Sequence, residues 1–335
     1  MYYLYCIYVT VDLPTFGEAT VPTADIRIHD NQVVRTVAVD GITVRSDVFS
    51  TNEKGEEKAL VDRRTRKVLR KLGPALLRLL LPDEAVLYVM PARSPLSVVE
   101  QLTAASWTAL LAACAIVITN KRILFFPVKR DGSWRESVRS VYWGDLEKIK
   151  AKGWLVRNVS FKFKNGAKVT YTNFRRADAK KLTAIAAALI PSASGEQTSA
   201  HGPVQLCPDC RETLTEAQYA CPSCGLSFKN EKTMIFRSIV LPGGGYFYTG
   251  HPLIAIVPAV VEAFLVLEIL LVLRAGFTSP KAVPEFIHVL LILAVFWALE
   301  TGITILHCRR YIREFIPEKR DPARMPQKAM PKMDN

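Results

Sequence analysis

The chain has 335 residues, half of them apolar and 22% charged, with a mean hydropathy of +0.15. These figures exclude a disordered chain, the missing Gly-x-y period excludes a collagen-like one, and the length predicts about two domains. Forty-four Lys and Arg against 31 Asp and Glu give +13, a balance that favours polyanions, either nucleic acid or anionic lipid headgroups.

Residues 1–20 carry no readable pattern, and the first ten lack a basic residue, so no secretory signal is expected. Residues 24–48 alternate apolar and polar around Asp30-Asn31 and Asp40-Gly41. The segment 1–52 therefore reads as an N-terminal β-meander or a poorly defined stretch. Between 56 and 82, Arg63, Arg64, Arg66, Lys67, Arg70, Lys71 and Arg78 alternate with Val68, Leu69, Leu72, Leu76 and Leu77. This predicts a basic amphipathic helix, lying on a membrane or packed on the next domain.

Residues 121–181 hold 17 Lys and Arg against five Asp and Glu, nearly the whole positive excess, in a segment that reads as β structure. Ala115–Phe126 is two apolar strands around Asn120-Lys121, and Asp131-Gly132 signals another turn before Ser137–Trp143. Val159–Phe163 and Ala167–Tyr171 alternate around Asn165-Gly166, and 177–190 closes the unit as an Ala-rich amphipathic helix. Thr119-Asn-Lys-Arg-Ile-Leu-Phe-Phe126 and Val141-Tyr-Trp-Gly-Asp-Leu-Glu-Lys-Ile149 give residues 83–190 a resemblance to bacterial pleckstrin-homology-like and GRAM-like domains. The resemblance implies a seven-stranded barrel used for binding rather than catalysis. Leu96–Ala113 departs from it by reading as helix where strands are expected, and an inserted membrane-facing helix would account for this. Lys148, Lys150, Lys152, Arg157, Lys162, Lys164 and Lys168 are the candidate anion ligands, each worth about 1 kcal/mol beside an anionic leaflet. A solvated basic face without a specific ligand is the bland alternative.

After a linker at 191–204, Cys207-Pro-Asp-Cys210 and Cys221-Pro-Ser-Cys224-Gly225 stand ten residues apart. Two such turns supply four thiolates to one tetrahedral ion and leave no open position, so 205–228 is expected to be a ribbon around structural Zn²⁺. The knuckles resemble those of zinc ribbons and rubredoxins; a redox dithiol pair or an iron site are the alternatives. Cys6 and Cys114 read as small buried hydrophobes, whereas Cys308 is a candidate for S-palmitoylation.

Leu241-Pro-Gly-Gly-Gly-Tyr-Phe-Tyr-Thr-Gly-His-Pro252 resembles the Gly-rich entry of small two-span membrane hairpin families, without the acidic motif such families often carry. Its glycines allow close backbone approach or a re-entrant turn, and Tyr246, Phe247 and Tyr248 suit a membrane interface. Residues 252–273 and 286–306 follow as apolar runs of 22 and 21 residues, each about 30 Å long as a helix. Within the hairpin, 235–307, the ionisable Glu262, Glu268, Glu300 and His288 are costly, a central carboxylate by about 3 kcal/mol, and mark a functional site by default. Residues 308–335 hold eight Lys and Arg against four Asp and Glu, a basic tail that puts both termini in the cytoplasm with two spans in the plasma (inner) membrane.

The expectation is a multidomain α+β membrane protein: a small PH-like barrel with a C-terminal helix, a zinc ribbon and a transmembrane hairpin. No catalytic motif is present in the sequence, so it reads as a binding or scaffold protein rather than an enzyme. Its expected partners are anionic phospholipid headgroups and an unidentified protein or a second copy. A membrane-tethered nucleic-acid-binding protein and an oligomeric channel or transporter subunit are the alternatives. Nucleic acid is less favoured because the aromatic residues occupy core positions.

Overall fold

The computed structural model describes residues 36–52, 54–104, 112–154, 157–193, 202–278 and 283–318. The Asp30-Asn31 turn, Cys6, the middle of the Ala-rich stretch (105–111) and the end of the basic tail lie outside these residues. The chain opens with the hairpin β1 (Thr36–Val39) and β2 (Ile42–Arg45), where Asp40 and Gly41 both take positive φ. That conformation is the one a two-residue hairpin turn requires. The single turn α1 (Ser46–Phe49) and the long helix α2 (Ala59–Leu79) follow.

The central sheet is built from β3 (Val86–Arg93), β4 (Ala113–Thr119), β5 (Arg122–Pro127), β6 (Val138–Tyr142), β7 (Leu146–Lys152), β8 (Arg157–Phe163) and β9 (Lys168–Phe174). These strands pair antiparallel in the order β6-β5-β4-β3-β9-β8-β7, and β3 meets β9 at Arg93–Thr172. The sheet thus curls on itself, consistent with the PH-like expectation. The helix α3 (Val98–Ala104) leaves the end of β3, and α4 (Arg176–Ser192) packs into the open side of the curl. Part of the Ala-rich stretch is therefore helical, as its composition predicts.

Strands β4 and β5 are buried on both faces, which is why they read as one apolar run rather than an alternation. Ile116, Ile118, Ile123 and Phe125 point into the curl with Phe161, Tyr171, Leu182 and Ile185. Val117, Leu124 and Phe126 point the other way, against Leu69, Leu72, Leu76 and Leu79 of α2. Each of those four leucines is fully buried, worth roughly 1.5–3 kcal/mol apiece. Of the two sequence readings for α2, packing on the domain is the one observed. Leu77 alone of its predicted apolar face stays exposed.

The Thr119–Arg122 motif is a structural lock. Arg122 is 2% exposed and donates from Nε and Nη2 to Glu84 and from Nη2 to the Leu79 carbonyl, fixing the end of α2 to the β4–β5 turn. Thr119 Oγ1 also donates to Glu84, Asn120 accepts from the Ala85 amide, and Trp143 Nε1 donates to the Thr119 carbonyl. Lys181 is buried as well, held by the Val48 and Thr51 carbonyls and standing 3.9 Å over the Tyr88 ring. The +12 of residues 121–181 is therefore not all surface charge: Arg122, Arg135 and Lys181 are internal.

Strands β10 (Val204–Leu206) and β11 (Thr213–Leu214) flank the first cysteine pair, and β10 pairs antiparallel with β6. The four-cysteine segment thus extends the central sheet. Helices α5 (Glu231–Val240) and α6 (Gly244–Thr249) lead into α7 (Pro252–Thr278) and α8 (Val283–Ile312), which pack on each other. In the apolar windows of α7 and α8 only 6% and 11% of residues are buried, so the rest of the chain leaves their apolar surface uncovered.

Candidate functional site

Three groups of sequence-predicted residues are brought together. The Sγ atoms of Cys207, Cys210, Cys221 and Cys224 all lie within 4.8 Å of one another, with Cys207–Cys224 at 3.6 Å and Cys210–Cys221 at 3.4 Å. A disulfide needs about 2.05 Å. Four thiolates at about 2.3 Å from a central tetrahedral ion stand about 3.8 Å apart, so the donor set fits one ion. The two knuckles match. Arg211 and Gly225, each directly after its second cysteine, take positive φ and donate their amides to the Cys207 and Cys221 carbonyls. The glycine was legible at one knuckle; at the other an arginine adopts the same backbone conformation.

The second group is the outer face of β7–β9. Lys148, Lys162 and Lys168 are directly opposed across the three strands, and the next row is Lys150, Ser160 and Thr170. Adjacent like charges repel in a sheet; Glu147 relieves part of this, bonding Lys162 at 2.6 Å and Lys148 at 3.0 Å. Those two ammonium groups hold the Glu147 carboxyl below the usual carboxylate range. Lys152 extends the face by one step opposite Asn158, and Lys164 is exposed at the β8–β9 turn. Arg157 is half-buried with its Nε enclosed and stands apart from the row. Sequence reading passed over Trp154, which is 82% exposed in the β7–β8 connection. Its signal was a tryptophan directly after Lys152-Gly153, where a turn leaves no core to enter.

The third group lies in the helical hairpin. Glu262 is 2% exposed, its Oε2 accepts the Gly243 amide at 2.8 Å, and the Glu300 carboxyl of α8 stands close to it. Gly243 takes φ +64°, and a Cβ there would meet the Ala255 carbonyl at 2.7 Å. A Cβ at Gly244 would collide with the Arg237 carbonyl, and one at Gly245 with Ser238 Oγ. The three glycines thus let α6 wedge between α5 and α7. Glu268 is half-buried and His288 exposed toward the far end of the hairpin. The aromatic run behaves differently from a simple interfacial belt. Tyr246 is buried against His307, Tyr248 bonds the Asn230 amide and Glu318, and only Phe247 is exposed. Cys308 is fully buried, which argues against its S-palmitoylation.

Arg310 joins hairpin to sheet. It donates to Ser94 Oγ at 2.6 Å and the Pro95 carbonyl at 2.7 Å, and pairs with Glu100 of α3 at 3.4 Å. Helix α3 carries a capping box, Ser97 Oγ accepting from the Glu100 amide and Glu100 from the Ser97 amide. It holds Val98 and Leu102, one turn apart, 71% and 75% exposed beside the end of α8.

Residues 80–187 match the family model of the bacterial PH domain, close to the 83–190 read from the motifs. No curated protein and no solved structure matches the chain. The match covers the curled sheet and α4, the part that carries the lysine row, and leaves the cysteine cluster and the hairpin outside it. A PH-like domain indicates lipid or protein binding, and two uncovered apolar helices make membrane anchoring the natural complement.

Proposed function

We propose that this protein is a membrane-anchored binding module of the plasma (inner) membrane, in which α7 and α8 cross the bilayer. The PH-like sheet stands on the cytoplasmic side and engages anionic phospholipid headgroups, leaving the rest of its surface to a protein partner or a second copy. In this reading the chain binds rather than catalyses. Structural Zn²⁺, held by Cys207, Cys210, Cys221 and Cys224, ties β10 and β11 to the segment that follows.

The observation that carries the reading is the row Lys148–Lys162–Lys168, an arrangement that costs repulsion in water and gains from a layer of phosphates. Trp154, in the β7–β8 connection at the other end of the same strands, has the amphipathic ring that sits well at headgroup depth. Val98 and Leu102 supply a second apolar contact where Arg310 bolts the domain to α8.

The test uses the full chain in nanodiscs of phosphatidylcholine with or without phosphatidylglycerol, read by amide hydrogen exchange over residues 146–174. Protection is expected only with phosphatidylglycerol, falling in high salt and in the triple variant Lys148→Ser, Lys162→Ser, Lys168→Ser. Identical exchange in both discs would remove lipid from the proposal.

A further inference from the structure

A cavity of about 590 Å³ opens between the β5–β6 connection and the start of α7, lined among others by Lys129, Arg130, Trp134, Lys229, Pro252 and Leu253. Its size falls within the range of small-molecule sites. We propose that this cavity binds one anionic phospholipid, its phosphate against Lys129, Arg130 and Lys229 and an acyl chain along Leu253. The site is separate from the lysine row, and the proposal rests on the reading that α7 enters a membrane.

The polar end of the cavity is rich in cations. Four basic side chains line it against two carboxylates, Asp131 and Glu136. Asp131 accepts from the Ser133 amide at 3.0 Å and from Ser133 Oγ at 2.7 Å. Arg135 is engaged by Glu314 at 3.7 Å and lies over the Tyr311 ring. Lys129, Arg130 and Lys229 make no ion pair among the described residues. Lys229 is half-buried over the Tyr248 ring, where burial lowers its pKa, though Glu318 and Glu136 are near enough to oppose this. A partly desolvated ammonium without a carboxylate in contact is the group that gains most from a phosphate oxygen.

His251 reports the same field. It stacks on Tyr311 at 3.6 Å, and its pKa is pushed down to about 3 by burial and by the Arg135 and Lys229 cations. A neutral imidazole there leaves the lysines and Arg130 to meet the anion.

The other end is apolar and leads away along the helix. Pro252 and Leu253 are the first residues of α7, and Leu253 is 60% exposed. Ile256, Val257 and Val260 continue an uncovered surface from there. A soluble phosphate uses only the basic end; a phospholipid uses both, and the cavity stands where a leaflet's headgroups meet the helix.

The full chain is purified in mild detergent, and its bound lipid is extracted and counted. About one anionic phospholipid per chain is expected. Lys129→Glu with Arg130→Glu should lower its retention by at least about 30-fold. Leu253→Gln serves as a second variant, and unchanged metal content and circular dichroism show that each variant folds. Thermal stabilisation of the delipidated chain by phosphatidylglycerol, and not by phosphatidylcholine or glycerol 1-phosphate, would support the proposal. Equal stabilisation by glycerol 1-phosphate, or unchanged retention in both pocket variants, would overturn it. A chain that stays soluble without detergent would defeat the membrane reading itself; a membrane-bound chain without retained anionic lipid defeats this inference alone.

Discussion

Replacing Glu262 separates a hydrogen-bonding role from a charged one. Its Oε2 accepts the Gly243 amide at 2.8 Å, the Glu300 carboxyl stands close to it on the neighbouring helix, and it is 2% exposed. Glu262→Leu leaves that amide without an acceptor in apolar surroundings, at roughly 1–3 kcal/mol, and strips Glu300 of its partner at a similar cost. Together the loss is about 2–6 kcal/mol. Glu262→Gln keeps a carbonyl oxygen for Gly243 and an amide for Glu300, so its cost stays below about 1 kcal/mol. Denaturant titration of the full chain in detergent micelles measures both. Glu262→Leu with Glu300→Leu should fall short of the sum of the single losses by at least about 0.5 kcal/mol, as expected for contacting residues. A Gln variant as damaged as the Leu variant, or a Leu variant as stable as the parent, would refute the argument.

Gly244→Ala drives a methyl into the Arg237 carbonyl and should destabilise the hairpin by about 1–3 kcal/mol in the same titration, whereas Gly302→Ala meets nothing within 4 Å and should be neutral or slightly stabilising. On the proposed zinc reading, Cys221→Ser should drop the metal from one equivalent per chain, read by elemental analysis, and expose β10 and β11 to hydrogen exchange. Arg122→Met leaves Glu84 buried and unpaired and should cost about 3–5 kcal/mol, while adding Glu84→Leu should recover much of it. If the double variant is no better than the single one in thermal unfolding, the pair is not the lock described here.

What the sequence made legible was whatever a short window decides. Ala115–Phe126 reads as strands because both faces are buried, α7 and α8 because their apolar runs are long and uncovered, and the two knuckles because Cys-x-x-Cys is local. The remainder depended on pairings across the chain. Val204-Gln-Leu206 has no period of its own and becomes a strand only because β6 offers an edge. Which lysines oppose one another follows from register, and an irregularity between Leu146 and Lys148 sets it. Gly243 and Glu262 are 19 residues apart, and neither residue predicts the other. The helix α2 looked equally suited to a membrane or a sheet, since an apolar stripe does not name what covers it.

The modules read separately from the sequence are one connected structure, and the segment after α8 shows why that matters. Glu314 meets Arg135 of the β5–β6 connection, its carbonyl accepts from Gln205 of β10, and Phe315 packs edge-on against Phe228 beside the cysteines. The Lys229 amide bonds the Ile316 carbonyl, and the Glu318 amide bonds the Ser227 carbonyl. A four-cysteine segment that was only a spacer would need none of these contacts. Their effect is to hold the sheet, through β10, at a fixed place against the ends of α7 and α8. A PH-like domain on a loose tether samples every orientation to a bilayer, and ordering it on contact costs entropy. Here the orientation of the sheet to α7 and α8 is set within the fold. On the proposed zinc and lipid reading, stripping the metal should therefore weaken contact between the lysine row and phosphatidylglycerol nanodiscs. If hydrogen exchange over residues 146–174 stays equally protected after chelation, the ribbon is not what aims the domain.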